Sequence, residues 1–163
     1  MDEGRLQAAF ENGAFVLRLT GDVRLTLCTT LDQQIAPLAA LPGLERVVID
    51  LREVSNMDST APGFLAKIAL AVRDRIQSQP LVVVRHPDVR RMLDVMGFQG
   101  YVTIIEAPAT EPARLDEVPV QEASEADLHA RVLEAHRTLA TMSEHNRIEF
   151  QPLIDLLEAQ RRD

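Results

Sequence analysis

The sequence predicts an α/β protein, a mixed β-sheet with crossover helices followed by a C-terminal helical extension, and three observations predict it. Short β-branched runs alternate with stretches whose apolar residues recur every three or four positions, as expected of strands joined by crossover helices. That alternation stops after Glu106, where Pro108, Pro112 and Pro119 interrupt a run of scattered acids and alanines. A capped amphipathic pattern then resumes at Ser124. The chain therefore divides into a sheet domain over 1–106, an extended proline-containing linker over 107–123 and an acidic helical extension over 124–163.

Each element has its own signal. Arg5 to Phe10 and Ala14 to Thr20 flank Glu11-Asn12-Gly13, whose Asn-Gly pair favours a tight hairpin between antiparallel strands. Leu27, Leu31, Ile35, Leu38 and Leu41 give a helix over 25–41, stopped by Pro42-Gly43. Arg46 to Leu51 reads as a strand covered on both faces. Phe64, Leu65, Ile68, Ala69 and Val72 place a helix over 60–77. A strand over Leu81 to Val84, a helix over His86 to Met96 with Pro87 in its first turn and Gly97 as its C-cap, and a last strand over Tyr101 to Ile105 complete the domain.

Composition excludes several classes of function. With 163 residues, 46% hydrophobic, the chain can bury one proper core. No apolar run approaches the roughly 20 residues a bilayer span needs, and Met1-Asp2-Glu3-Gly4-Arg5 lacks a basic region followed by an apolar stretch. A cytoplasmic protein without membrane insertion is expected. Cys28 is the sole cysteine, so internal disulfides and cysteine-based metal clusters are out, and it reads as a small apolar residue of the first helix. The formal net charge is −8, of which the first 105 residues carry −1 and the remainder −7. Nucleic acid is a poor partner for such a chain, because backbone binding needs a positive stripe.

In the extension, Ser124 caps a helix with an acid, Asp127, three residues on, and Leu128, Val132, Ala135, Leu139 and Met142 form a seam. Pro152 should end or kink any helix through Ile148, with Phe150, Leu153, Ile154 and Leu157 forming a second stripe. A helical pair this short is marginal alone, so its stripes must pack on the chain's own sheet, on a second copy as a homodimer, or on a partner protein. His129 and His136 lie two turns apart, too far to grip one ion unaided, and read as seam-edge or solvated residues; no metal or other cofactor is expected.

The chemistry concentrates at Asp58-Ser59-Thr60, between the strand ending near Leu51 and the helix that Pro62 opens. Pro62 lacks an N–H and fits only the first helical turn, which puts the N-cap no earlier than about Ser59. A hydroxyl there sits at the domain rim, where an enzyme can reach it. Phosphorylation would add about −1.5 to −2 charges beside Asp58, tolerable to a helix N-terminus but repulsive to a partner docked on the turn. Asp, Ser and Thr are also the preferred cap residues, so the triad taken alone favours an ordinary cap over a regulatory site.

Val47 to Leu51, Met57-Asp58-Ser59-Thr60 and Pro87-x-Val89-x-Arg91-x-Leu93-x-x-x-Gly97 together resemble the STAS family, the anti-sigma factor antagonists and their relatives, over roughly Leu6 to Ile105. The resemblance implies a STAS-like sheet and a non-enzymatic antagonist that captures an anti-sigma factor or serine kinase. It implies that the kinase phosphorylates the serine after the motif aspartate, Ser59 here with Thr60 second, to end the capture, and that a serine phosphatase resets it. The implied contact surface comprises Asp22, Arg24, Ser55, Asn56, Asp58, Ser59, Thr60, Gly63 and Phe64. Two positions depart from the family: Ala61-Pro62-Gly63 stands where Gly-Leu-Gly is common, and Arg24 where an acid is frequent. The alternative is a STAS subunit of a transport or signalling assembly, such as a lipid-transport ATPase system, with Ser59 and Thr60 as interface and capping groups. A hydrolase built from Ser59, His86 and a carboxylate lacks the Gly-x-Ser-x-Gly elbow, and Lys67, the sole lysine, lies mid-helix rather than in a phosphate loop.

Overall fold

The computed structural model describes residues 3–161. Strands β1 (Arg5–Glu11) and β2 (Ala14–Val23) pair antiparallel. Their turn places Asn12 at φ 52° and Gly13 at φ 80°, both left-handed, as the tight hairpin requires. Strands β3 (Arg46–Met57), β4 (Leu81–Val83) and β5 (Thr103–Ile105) continue the sheet in parallel, each joined to the last by helical crossovers. A two-residue strand, β6 (Asp116–Glu117), covers the outer edge of β1, giving the order β5-β4-β3-β2-β1-β6. The linker is thus tied to the sheet it leaves, and Val118 N–H donates to the Leu6 carbonyl at 2.8 Å.

Helices α1 (Leu25–Gln33), α2 (Ile35–Ala39) and α3 (Thr60–Val72) lie on one face of the sheet. Leu17, Leu19, Ile49 and Leu51 join Leu31, Phe64, Leu65 and Ile68 in one core, all essentially inaccessible. Helix α4 (Pro87–Val95) contributes Val89 and Leu93, opens with His86 Nδ1 accepting from Asp88 N–H, and ends at a left-handed Gly97. Helices α5 (Glu125–Met142) and α6 (Glu144–Arg161) pack on each other as a hairpin, with α5 against the outer surfaces of α3 and α1. The extension therefore rests on the helical layer and not on the sheet.

Several expected boundaries move. The helix over 25–41 breaks at Gln34, because Pro37 has no N–H for the Gln33 carbonyl. Strand β3 runs to Met57 rather than Leu51, since β2 keeps pairing with it through two register shifts up to Val23 and Met57. Helix α3 stops at Val72 rather than 77: Arg75 N–H bonds the Val72 carbonyl in a tighter turn, and its guanidinium holds the Ala39 and Leu41 carbonyls. A 3-10 turn over Phe98–Gly100 delays the last strand to Thr103. In the extension the break falls at Ser143, whose Oγ caps α6 by accepting from Asn146 N–H at 3.1 Å, while Pro152 lies inside α6. Pro152 and Ile148 are both exposed, so the carbonyl that the proline leaves unpaired can be hydrated.

The opposite sheet face carries an ion cluster. Asp50, only 2% exposed, accepts from Arg18 Nε at 3.0 Å and from Arg52 Nε and Nη2 at 3.0 and 2.8 Å, and Glu111 of the linker joins both arginines. Burial alone would push the Asp50 carboxyl up. The hydrogen bonds from the Arg52 side chain and backbone and from Arg18 outweigh it and hold the group below the usual carboxylate range.

Candidate functional site

The site is the rim where β2 and β3 end and α1 and α3 begin, and Asp58 organises it. Asp58 Oδ1 accepts from the N–H groups of Thr60 and Ala61 at 3.1 and 3.2 Å, and Oδ2 accepts from Leu25 N–H at 3.0 Å. One carboxylate thereby caps two helices. The capping oxygen comes from Asp58 rather than from Ser59, which has helical backbone angles and makes no side-chain cap bond. With Thr60 and Ala61 N–H occupied and Pro62 offering none, α3 has little left with which to receive further negative charge.

The Ser59 hydroxyl is engaged elsewhere. Its Oγ lies 2.8 Å from Nε2 of His136 on α5, across 77 positions of sequence. His136 Nδ1 lies 2.7 Å from the Val132 carbonyl, which can only accept, so Nδ1 carries a hydrogen and in the neutral ring Nε2 accepts from the serine. The imidazole is 1% exposed and meets the Phe150 ring edge-on, centroids 5.3 Å apart. His136 is thus buried and paired, where the sequence read a seam-edge or solvated residue; the α5–α6 hairpin seals it between α3 and Phe150.

Helix α5 is held to this rim by shape and charge together. Gly63 is the point of closest approach: a Cβ there would sit 2.5 Å from the Ala135 carbonyl oxygen and 2.6 Å from the Ala135 Cβ. Leu133, Ala135 and Leu139 are buried on α5, while Leu128, Val132 and Met142 of the expected seam are half-buried. The stripe is shifted because α5 contacts both α3 and α6. Lys67, whose Nζ lies 5.2 Å from the Phe64 ring centre, bonds Asp32 of α1 at 2.7 Å and Glu134 of α5. Arg131 of α5 returns to Asp32 at 2.6 Å, closing a four-member network over three helices.

The nine expected contact residues divide into two groups. Asp22, Arg24, Ser55, Asn56 and Asp58 lie on the open rim, with Asn56 Nδ2 donating to Asp22 Oδ1 at 3.1 Å and Arg24 Nε 2.6 Å from Asp22 Oδ2. Ser59 is half-buried at the boundary. Thr60, Gly63 and Phe64 are buried, so no partner reaches them while α5 is seated. Sequence reasoning missed His136, Ala135, Glu134 and Arg131. Their only signal was position on the amphipathic extension, which says that α5 packs but not where.

Beside the serine–histidine pair the Thr60 and Ala61 N–H groups are taken by Asp58, and the imidazole is enclosed. Among the described residues no three His, Cys, Asp or Glu side chains converge for a metal ion, and no helix is long and apolar enough to cross a membrane. Cys28 is buried in α1, its thiol pushed up by burial and by the charges of Asp58 and Asp32.

Comparison with known proteins adds the following. The family model described as "Mlab, STAS domain" matches residues 6–106. The structure of the anti-sigma factor antagonist SpoIIAA in its unphosphorylated form is similar at 15% identity and a TM-score of 0.53, over 63% of this chain and 89% of that one. The Bacillus cell fate determinant SpoIIAA in the phosphorylated form aligns at 13% identity and a TM-score of 0.48, over 61% and 90%. At these identities the likeness is one of fold, and no curated protein matches in sequence.

Proposed function

The chain belongs to the STAS family through residues 6–106, and from that premise we propose that it is an anti-sigma factor antagonist of the partner-switching kind. With Ser59 bare it captures an anti-sigma factor or serine kinase; phosphorylation of Ser59 ends the capture, and a serine phosphatase restores it. The supporting observation is the position of Ser59 beside Asp58, at the junction of an open polar rim with the start of α3. A phosphate there places about −1.5 to −2 charges next to a carboxylate whose helix N–H partners are already occupied, so a docked surface meets uncompensated repulsion.

The test is capture of an anti-sigma serine kinase. Ser59→Ala should bind it as the parent does and Ser59→Glu should lose it; equal affinity of the two variants refutes electrostatic control. A second reading, an unmodified STAS subunit of a transport or signalling assembly, is favoured by one observation: the Ser59 hydroxyl already has a resident partner in His136. Under that reading the kinase leaves Ser59 without phosphate.

A further inference from the structure

We infer that the Ser59 turn with the outer faces of α3 and α1 is a helix-binding surface, that α5 is the chain's own displaceable occupant of it, and that a phosphate on Ser59 and a seated α5 exclude each other. The exclusion is steric. His136 Nε2 stands 2.8 Å from Ser59 Oγ, in a ring 1% exposed and backed by Phe150, so the phosphoryl group has no room unless the imidazole leaves. Transfer of the phosphoryl group from ATP to Oγ would break the terminal P–O bond of ATP, form the serine ester, and release ADP and the hydroxyl proton. The imidazole that accepts that proton's hydrogen bond is the group lying across the approach.

In the inferred opening α5 and α6 lift as a unit. Helices α5 and α6 pack on each other, so the hairpin retains a partner when it lifts. Its hold on α3 and α1 combines the buried Leu133, Ala135 and Leu139 with a network centred on the mostly buried Lys67 and Asp32, and two bonds elsewhere, Tyr101 Oη to the Met142 carbonyl at 3.3 Å and Asn146 Nδ2 to the Met96 carbonyl at 2.8 Å, open if α6 lifts with α5. His129 Nε2 and Arg131 Nε of α5, with Thr29 Oγ1 of α1, are buried without a hydrogen-bond partner among the described residues, a cost that release to water removes. Residues 107–123 stay tied to the sheet domain through Glu111 to Arg18 and Arg52, through strand β6 with Val118, and through the Gln121 N–H bond to Thr30 Oγ1 at 2.7 Å, and tether the hairpin when it lifts. Release of α5 uncovers Gly63, the expected contact residue against which Ala135 packs.

This inference deepens the proposed function and rests on Ser59 being the modified residue. Its test is amide hydrogen exchange on the full chain with phosphoserine incorporated at position 59, against the parent and Ser59→Ala. Peptides of α5 should exchange about tenfold faster or more in the phosphoserine chain, with β3 and α4 unchanged. A second variant, Ala135→Leu, overfills the contact with Gly63 from the α5 side and should give the same pattern without phosphate. Protection of α5 that survives the phosphate overturns the inference. So does loss of β3 protection in Ala135→Leu, which would make the hairpin part of the core rather than its cover. Neither result depends on a kinase, so absence of enzymatic phosphorylation counts against the proposed function alone.

Discussion

Gly63→Ala separates the seating of α5 from the stability of the sheet domain. The added Cβ lands 2.5 Å from the Ala135 carbonyl oxygen, 2.6 Å from its Cβ and 2.8 Å from its carbonyl carbon, contacts mostly with backbone that cannot rotate away. Overpacking of this kind costs about 1–3 kcal/mol. Alanine is meanwhile the better helix former by about 0.8–1 kcal/mol. The two effects act on different equilibria: propensity stabilises α3 whether or not α5 is present, whereas the clash exists only when α5 is seated. The opening of α5 should therefore become about 5- to 150-fold more favourable while α3 stays helical. Hydrogen exchange resolved by peptide reads both at once, with faster exchange over 125–142 and undiminished protection over 60–72. If α5 keeps its protection and the melting temperature simply rises, as propensity alone dictates, the packing argument is wrong.

The other predictions concern three ionisable side chains, Asp50, Lys67 and Cys28. Asp50→Asn leaves Arg18 and Arg52 facing each other without their buried carboxylate and should cost about 3–5 kcal/mol in urea denaturation. Because the folded Asp50 carboxyl lies below its ordinary 3.8, its contribution is complete above that value and is lost as the pH falls through the folded value; the parent should lose stability there, and Asp50→Asn less steeply. Lys67→Ala removes the centre of the network between Asp32 and Glu134, and should both speed α5 exchange several-fold and weaken its dependence on salt. Cys28 should resist alkylation at neutral pH until the chain unfolds, since burial holds it in the thiol form; prompt labelling of the folded chain would contradict that placement.

Local chemistry was legible where one residue type dictates one backbone state. Asn12-Gly13 gave the hairpin, Pro62 the start of α3, Gly97 the end of α4 and Ser124 the cap of α5. Pro37 and Pro152 show the limit of that logic. The first breaks its helix at Gln34, while the second is carried within α6, because the freed carbonyl can face water. At the site, the motif placed Ser59 at the rim, but the partner of its hydroxyl could not be read. His136 belongs to a helix whose periodicity reports that one face is apolar and is silent about which surface that face meets. The Gly63–Ala135 contact is likewise a product of tertiary packing, visible in sequence only as two small residues far apart.

The central claim is that the Ser59 hydroxyl is the switch. The most direct measurement is the mass, mapped to residue, of the intact chain after incubation with an anti-sigma serine kinase and ATP. The account predicts one phosphoryl group, on Ser59, appearing faster in Ala135→Leu than in the parent because α5 no longer shields the oxygen. A Ser59 that stays bare in both chains, with the kinase active on itself or another substrate, would contradict it.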